Sequence, residues 1–235
     1  MDHKDTTTTA VLLAVALLGN GCGQGLLQEH VAEGVIEYAL TFPDYDPDGL
    51  MAGMLPEKTT LTFGSGMQMA ELSAGMGVFR TSIVTDNEQK EMDYQLSVLS
   101  KKLVSHMGQR DILSFNKEKP AVTFLYTGEL DTIAGYPCKK AVALFGSIDR
   151  PEIEVWYTDR IRIEDPNWFS PFREIPGVLL RYEMIQFGMR MRLEATTVIP
   201  GPVEPTKYAL KEGYQKVSPD VLHGELEEVL SSFSL

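Results

Sequence analysis

Sulfur is the most conspicuous source of chemistry in this chain of 235 residues, which carries two cysteines and 11 methionines. Cys22 follows an apolar run, residues 10–18, and the small stretch Gly19-Asn20-Gly21. A thiol in that setting suits acyl attachment better than redox chemistry. Cys138 is the other cysteine, and with Cys22 acylated it has no partner for an internal disulfide. It reads as a small buried apolar residue. A reactive thiol is the alternative, because Lys139 and Lys140 could depress its pKa from the same face; strand alternation turns Lys139 away and leaves Lys140 on its side.

Met67-Gln68-Met69 and Met189-Arg190-Met191 each put two thioethers on one strand face, an arrangement soft enough for Cu(I), and His106-Met107 is a further candidate. An apolar strand face produces Met-x-Met without any metal, so no metal is expected. The histidines at positions 3, 30, 106 and 223 form no zinc-type pair. Asp44, Asp46 and Asp48 alternate as in a calcium loop, but no downstream glutamate completes an EF-hand. There is no Gly-x-Ser-x-Gly elbow, and no histidine lies beside Cys138 in any local pattern. The expectation is a protein that is not an enzyme, with no catalytic residue and no cofactor.

The apolar run before Cys22 is far shorter than the roughly twenty residues that span a bilayer, and suits the core of an export signal. Residues 18–22 resemble a bacterial lipobox, although Gly19 stands where an aliphatic residue is usual and Asp2 and Asp5 offset Lys4. That resemblance implies cleavage before Cys22 and diacylglyceryl transfer to its sulfur. Residues 1–21 are then a signal peptide, 22–32 a lipidated tether and 33–235 one folded domain; an ordinary secretory signal cleaved nearby, or a buried N-terminal helix, is the alternative. The expected location is the cell envelope, on the outer membrane facing the periplasm.

Formal charge is −12, and loss of the leader with Lys4, Asp2 and Asp5 leaves −11. Basic residues come as isolated pairs such as Lys101-Lys102 and Lys139-Lys140, which argues against nucleic acid as a partner. An acidic surface also gains little from anionic headgroups, so the acyl anchor is the membrane contact.

The elements that position these side chains are mostly strands. Period-two alternation runs through residues 34–42, 58–63, 66–72, 78–86, 89–99 and 101–107, separated by turn signals such as Gly64-Ser65 and Asp86-Asn87. A second set covers 121–126, 130–133, 138–145, 152–157, 178–187 and 189–198. In the last of these, Met189, Met191, Leu193, Ala195 and Thr197 share the apolar face. Ten or so strands with one apolar face predict a mainly β, α+β fold, a strongly curved antiparallel sheet or half-barrel. Two helices are expected, at 46–55 and at about 219–233, and both could cover the open face.

Three spaced elements resemble the DUF4412 family of exported bacterial proteins and the related GLPGLI-type proteins. They are Thr132-Ile133-Ala134-Gly135-Tyr136-Pro137-Cys138-Lys139-Lys140-Ala141, Val155-Trp156-Tyr157-Thr158 and Ile175-Pro176-Gly177-Val178-Leu179-Leu180. The resemblance covers about 33–198, and two departures from the GLPGLI motif favour DUF4412. It implies no reaction and no catalytic residue. It does imply a sheet similar to lipoprotein carriers of the LolA and LolB type, in which curved strands under helical cover hold acyl chains. The ligand-contact candidates are Met51, Met54, Met67, Met69, Trp156, Met184, Met189 and Met191, because methionine adapts to irregular apolar shapes. A packed core that uses methionine as filler accounts for the same pattern. The functional expectation is an anchored protein binding a lipid or other apolar ligand, with ligand exchange under the 46–55 helix. The alternative is an interaction module for an envelope partner.

Overall fold

The computed structural model describes residues 30–46, 52–115, 122–145 and 152–231. Cys22, Met51, Asp48 and Phe233 lie outside the described residues, as does the leader. Twelve strands form one sheet: β1 Gly34–Thr41, β2 Lys58–Gly64, β3 Met67–Ala74, β4 Phe79–Asp86, β5 Glu91–Val98, β6 Lys101–Gly108, β7 Val122–Ile133, β8 Tyr136–Phe145, β9 Ile153–Thr158, β10 Val178–Gln186, β11 Met189–Pro200 and β12 Gln215–Lys216. Their order is β12-β6-β5-β4-β3-β2-β1-β11-β10-β9-β8-β7. All neighbours are antiparallel except the two-residue β12, which runs parallel to β6.

Turn chemistry explains much of the register. Ser65-Gly66, Ala134-Gly135 and Phe187-Gly188 each occupy two successive left-handed positions between paired strands. Such two-residue turns match the twist of an antiparallel hairpin. One irregularity changes a face. Tyr38 pairs with Ala195 but Glu37 pairs with Thr197, so Thr196 bulges out of β11. Beyond the bulge Val198 packs on the core and Thr197 is exposed, the reverse of strict alternation from Met189.

The sheet is open at β12 and β7 but bends back on itself. Tyr94 on β5 and Gln186 on β10 are six strand spacings apart, about 29 Å across a flat sheet. The Gln186 amide nevertheless lies 3.5 Å from the Tyr94 hydroxyl. Curling brings β4 and β5 opposite β10 and β11 around a concave face.

Two helices and one long loop fill the concavity and its open side. Helix α1, Gln109–Phe115, was not expected from the sequence; it follows β6 directly and buries Ile112. Helix α2, Pro219–Ser231, begins with the Ser218 hydroxyl accepting the Val221 amide and proline in its first turn. Its Leu222 and Leu226 are fully buried against Leu103 and Met107 of β6. His223 sits 5.3 Å from the Phe115 ring and 5.2 Å from Phe187, linking the helices to the β10–β11 turn. The helix expected at 46–55 is, in its described part, one 3-10 turn at Ala52–Met54. Residues 47–51 of that expected helix lie outside the described residues.

Candidate ligand cavity

Alternation on the curled strands aims Leu40 of β1, Leu61 of β2, Ala70 and Leu72 of β3, and Ile83 of β4 inward. Facing them are Tyr182 and Met184 of β10 and Met189, Met191 and Leu193 of β11. Between these walls lies a cavity of about 220 Å³. On β10 the lining runs from Val178 to Gln186, about 26 Å along a strand. At one end it is bounded by Leu55, Pro56, Ala74, Phe79 and Leu230. The β3–β4 and β5–β6 turns at that end of the sheet expose Met76, Val78 and Leu99.

The other boundary is residues 159–177, which connect β9 to β10. This loop is longer than the roughly 12–15 residues beyond which structureless connections are uncommon in compact domains. Its Phe169 and Phe172 reach into the concavity, where the Phe172 ring meets Tyr182 at 5.5 Å and Phe124 at 6.2 Å. Polar side chains pin it. The Asn167 amide donates to the carbonyls of Ile175 at 2.9 Å and Gly177 at 2.8 Å, closing the loop on itself. The Gln68 amide donates to Pro166 O at 2.8 Å and to Asn87 Oδ1 at 3.0 Å. Trp168 Nε1 donates to that Asn87 oxygen at 3.1 Å, and Lys90 clasps Asp165 at 2.6 Å.

The cavity has little electrostatic character. Glu71 is the one charged residue among its described lining, and its carboxylate is held by Lys207 at 3.0 Å. The Tyr38 hydroxyl donates to Leu179 O at 2.9 Å, and the Thr59 hydroxyl to Glu71 O at 2.8 Å. Burial pushes the Tyr94 phenol up to about 12 and raises Tyr38 and Tyr182 well above the usual tyrosine range. All three therefore stay protonated in ordinary buffers.

The structure separates the methionine candidates. Met184, Met189 and Met191 line the cavity. Met67 and Met69 do not: they pack with Val84, Val203 and Tyr208 in a separate cluster, while Gln68 and Ala70 take the inward positions on β3. Both faces of β3 are covered, one by the cavity and the other by residues 203–208, so hydrophobicity did not distinguish inside from outside. Met54 is 45% exposed and does not line the cavity. Trp156 is also excluded. Its strand neighbours Val155 and Tyr157 pack with Phe172 of the loop, whereas Trp156 turns to a position with Lys140 Nζ 5.6 Å and Arg181 Cζ 5.8 Å from its ring. Met51 lies outside the described residues.

Sequence reading missed the 159–177 loop as cover. Its signal is Pro166-Asn167-Trp168-Phe169-Ser170-Pro171-Phe172, three aromatics in an aperiodic stretch framed by prolines. Of the segment expected to act as an exchange helix, 46–55, Leu55 lines the cavity with Pro56 beside it, and residues 47–51 lie outside the described residues.

Cys138 is fully buried, and its thiol lies 3.4 Å from the carbonyl of Tyr136. Desolvation pushes its pKa up to about 11, which makes it inert rather than nucleophilic. Lys139 points to Asp159 at 2.9 Å, and Lys140 is taken up by Glu154 at 2.7 Å and Glu129 at 3.2 Å. His106 contacts Asp93 at 2.8 Å on the exposed side of β6, while Met107 is fully buried. Among the described residues no group of three or more His, Cys, Asp or Glu is placed to hold a metal ion.

One solved structure agrees with this architecture at the level of fold. The structure of PNGF-II superimposes with a TM-score of 0.52 at 16% identity, over 83% of this chain and 33% of that one. This chain thus spans about a third of PNGF-II. The MucA/MucB complex of Pseudomonas aeruginosa gives a TM-score of 0.35 at 9% identity, over 78% of this chain and 57% of that one. A β-barrel-like protein of the DUF1849 domain from Brucella abortus gives 0.31 at 8%, over 74% and 100%. No protein-family model and no curated protein matches the chain.

Proposed function

We propose that this is a lipid-anchored cell-envelope protein, acylated at Cys22, that holds one apolar chain between its curled sheet and the 159–177 loop. The observation that carries the reading is the charge-poor cavity lined by Met184, Met189, Met191 and aromatic side chains. Its volume of about 220 Å³ falls below the roughly 300–1,000 Å³ of pockets for drug-sized ligands, which suits a single slender chain. Membership of DUF4412, a half-barrel of the LolA and LolB type and an outer-membrane position facing the periplasm belong to the same proposal. Support for them comes from the Thr132-to-Ala141, Val155-to-Thr158 and Ile175-to-Leu180 motifs and from the leader before Cys22.

The role is binding and exchange rather than catalysis. The chain enters at the end bounded by Leu55, Ala74 and Phe79, where exposed Met76, Val78 and Leu99 offer an apolar approach. Native mass spectrometry of the full-length protein purified from a bacterial host, with organic extraction, tests this. Stoichiometric lipid supports it; a ligand-free protein that takes up no added lipid overturns it.

One observation favours a second reading, an interaction module. Strand β7 pairs with β8 alone and leaves its other edge open along Val122–Ile133, with Leu125 and Leu130 exposed. A long apolar edge invites a partner strand. Co-purification of a stoichiometric envelope protein, lost on substituting proline in β7, would select it.

A further inference from the structure

We infer that the ligand of this cavity is an apolar chain bearing one neutral oxygen function, an ester, amide or alcohol, that meets the Tyr182 hydroxyl, and that a free carboxylate is excluded. The inference rests on the binding role just proposed and names the chemical class of the ligand.

Tyr182 stands on β10 in the middle of the lining, between Leu179 and Gln186. Its ring is fixed on two sides, by Tyr38 at 6.4 Å and Phe172 at 5.5 Å, both at steep interplanar angles. The hydroxyl therefore has a set position. Several of the other polar groups in the walls are spent on protein partners: Tyr38 on Leu179, Thr59 on Glu71, Gln68 on Asn87 and Pro166, and Asn167 on Ile175 and Gly177. Among the described residues the Tyr182 hydroxyl donates to no group, while its ring packs on Tyr38 and Phe172. A polar hydrogen left over in an apolar cavity is costly unless something occupies it. Thr60 on β2 and Thr81 on β4 add hydroxyls with no described partner, and the Tyr94 hydroxyl accepts from Gln186 while its own hydrogen donates to no described group, so the walls offer neutral donors around Tyr182. Burial keeps the Tyr182 phenol protonated, so it offers a donor across the whole physiological range.

The charge of the walls decides the partner's charge. No Lys, Arg or His is among the described lining residues, and the one charged residue is the acidic Glu71. A carboxylate drawn into this space would give up its hydration without a cation to replace it. A carbonyl or hydroxyl oxygen loses much less and gains the waiting donor. A chain esterified or amidated at its head meets these terms, and a free fatty acid does not.

The probes are hexanol, hexanoate and hexane, titrated into the full-length protein carrying isotope-labelled methionine methyl groups, with the Met184, Met189 and Met191 resonances as the readout. Hexanol should shift these methyls, and hexanoate at neutral pH should bind about 100-fold more weakly or not at all. Tyr182→Phe should weaken hexanol about three- to tenfold and leave hexane unchanged. Unaltered dispersion of the remaining methyl signals establishes that the variant is folded. Equal binding of hexanoate and hexanol, or a folded Tyr182→Phe protein that binds hexanol as wild type does, overturns the inference while leaving the binding role in place. Failure of all three probes to move the cavity methyls overturns the binding role and the inference with it.

Discussion

Replacing Asn167 with alanine should loosen the 159–177 loop without dismantling the sheet beneath it. Asn167 is 7% exposed, and its amide donates to two carbonyls, Ile175 at 2.9 Å and Gly177 at 2.8 Å. Truncation removes both donors and leaves two carbonyl oxygens inside the loop without partners. Each orphaned buried group costs about 1–3 kcal/mol. Water entering the vacated space recovers part of this, so the net cost is about 2–4 kcal/mol. For a domain of this size that corresponds to a fall in melting temperature of roughly 5–15 °C if loop and sheet unfold together. If the loop opens first, the loss appears instead as local exchange. Circular dichroism melts should therefore be paired with hydrogen exchange read by mass spectrometry. Peptides from 166–177 should lose protection, while β3 to β5 keep theirs. Asn167→Asp sets an acceptor against the same two carbonyls and should cost more than alanine. A melting temperature within about 2 °C of wild type, with unchanged exchange over 166–177, would refute the assignment of this loop as pinned cover.

Other outcomes follow from the same contacts. Gly177→Ala places a methyl 2.5 Å from Thr158 O and 3.1 Å from the Tyr157 ring, and should lower stability by about 1–3 kcal/mol in urea melts. Leu226→Ala empties a fully buried position between α2 and β6 and should cost about 2–5 kcal/mol in the same assay. The Cys138 thiol titrates near 9.0 in the unfolded chain and at about 11 when folded. The unfolded state thus loses its proton first, so stability is level below pH 9 and falls by about 3 kcal/mol as pH climbs toward 11. Cys138→Ala should flatten that part of the pH profile, and an unchanged slope would show that the thiol is not what titrates. Cys22→Ser should move the protein from the membrane fraction to the soluble fraction on cell fractionation, and retention in the membrane would exclude the acyl anchor.

Strand positions were largely legible because most strands have one wet face. Residues 34–42 alternate Ile36, Tyr38 and Leu40 against Glu37 and Thr41, and β1 occupies Gly34–Thr41 with those three buried. The turn expected at Gly64-Ser65 falls one residue later, at Ser65-Gly66, and Gly188 ends the Phe187-Gly188 turn between the last two long strands. The short β12 and helix α1 were not legible. β12 has two residues and no pattern of its own, and α1 is a seven-residue turn that continues directly from β6. The bulge at Thr196 was hidden as well, since nothing in Glu194-Ala195-Thr196-Thr197-Val198 marks where pairing slips.

Local order in the chain determined the strand content, the hairpins, C-terminal helix α2 and the apolar character of the faces, because alternation, turn residues and caps act between near neighbours. The choice of inner face was a tertiary matter. Met67 and Met69 were indistinguishable by sequence from Met189 and Met191, and only the packing of residues 203–208 over β3 sets them apart. The cover was tertiary too. Hydrogen bonds from Gln68 and Trp168 to Asn87 and Pro166 join parts of the chain that are about 20 to 100 residues apart, and no local pattern encodes such pairs. Curling of the sheet then brings β5 within reach of β10, and the space left between the walls and the loop becomes the cavity. That space depends on how far the sheet bends and how deeply Phe169 and Phe172 enter it, quantities that belong to the assembled chain rather than to any segment.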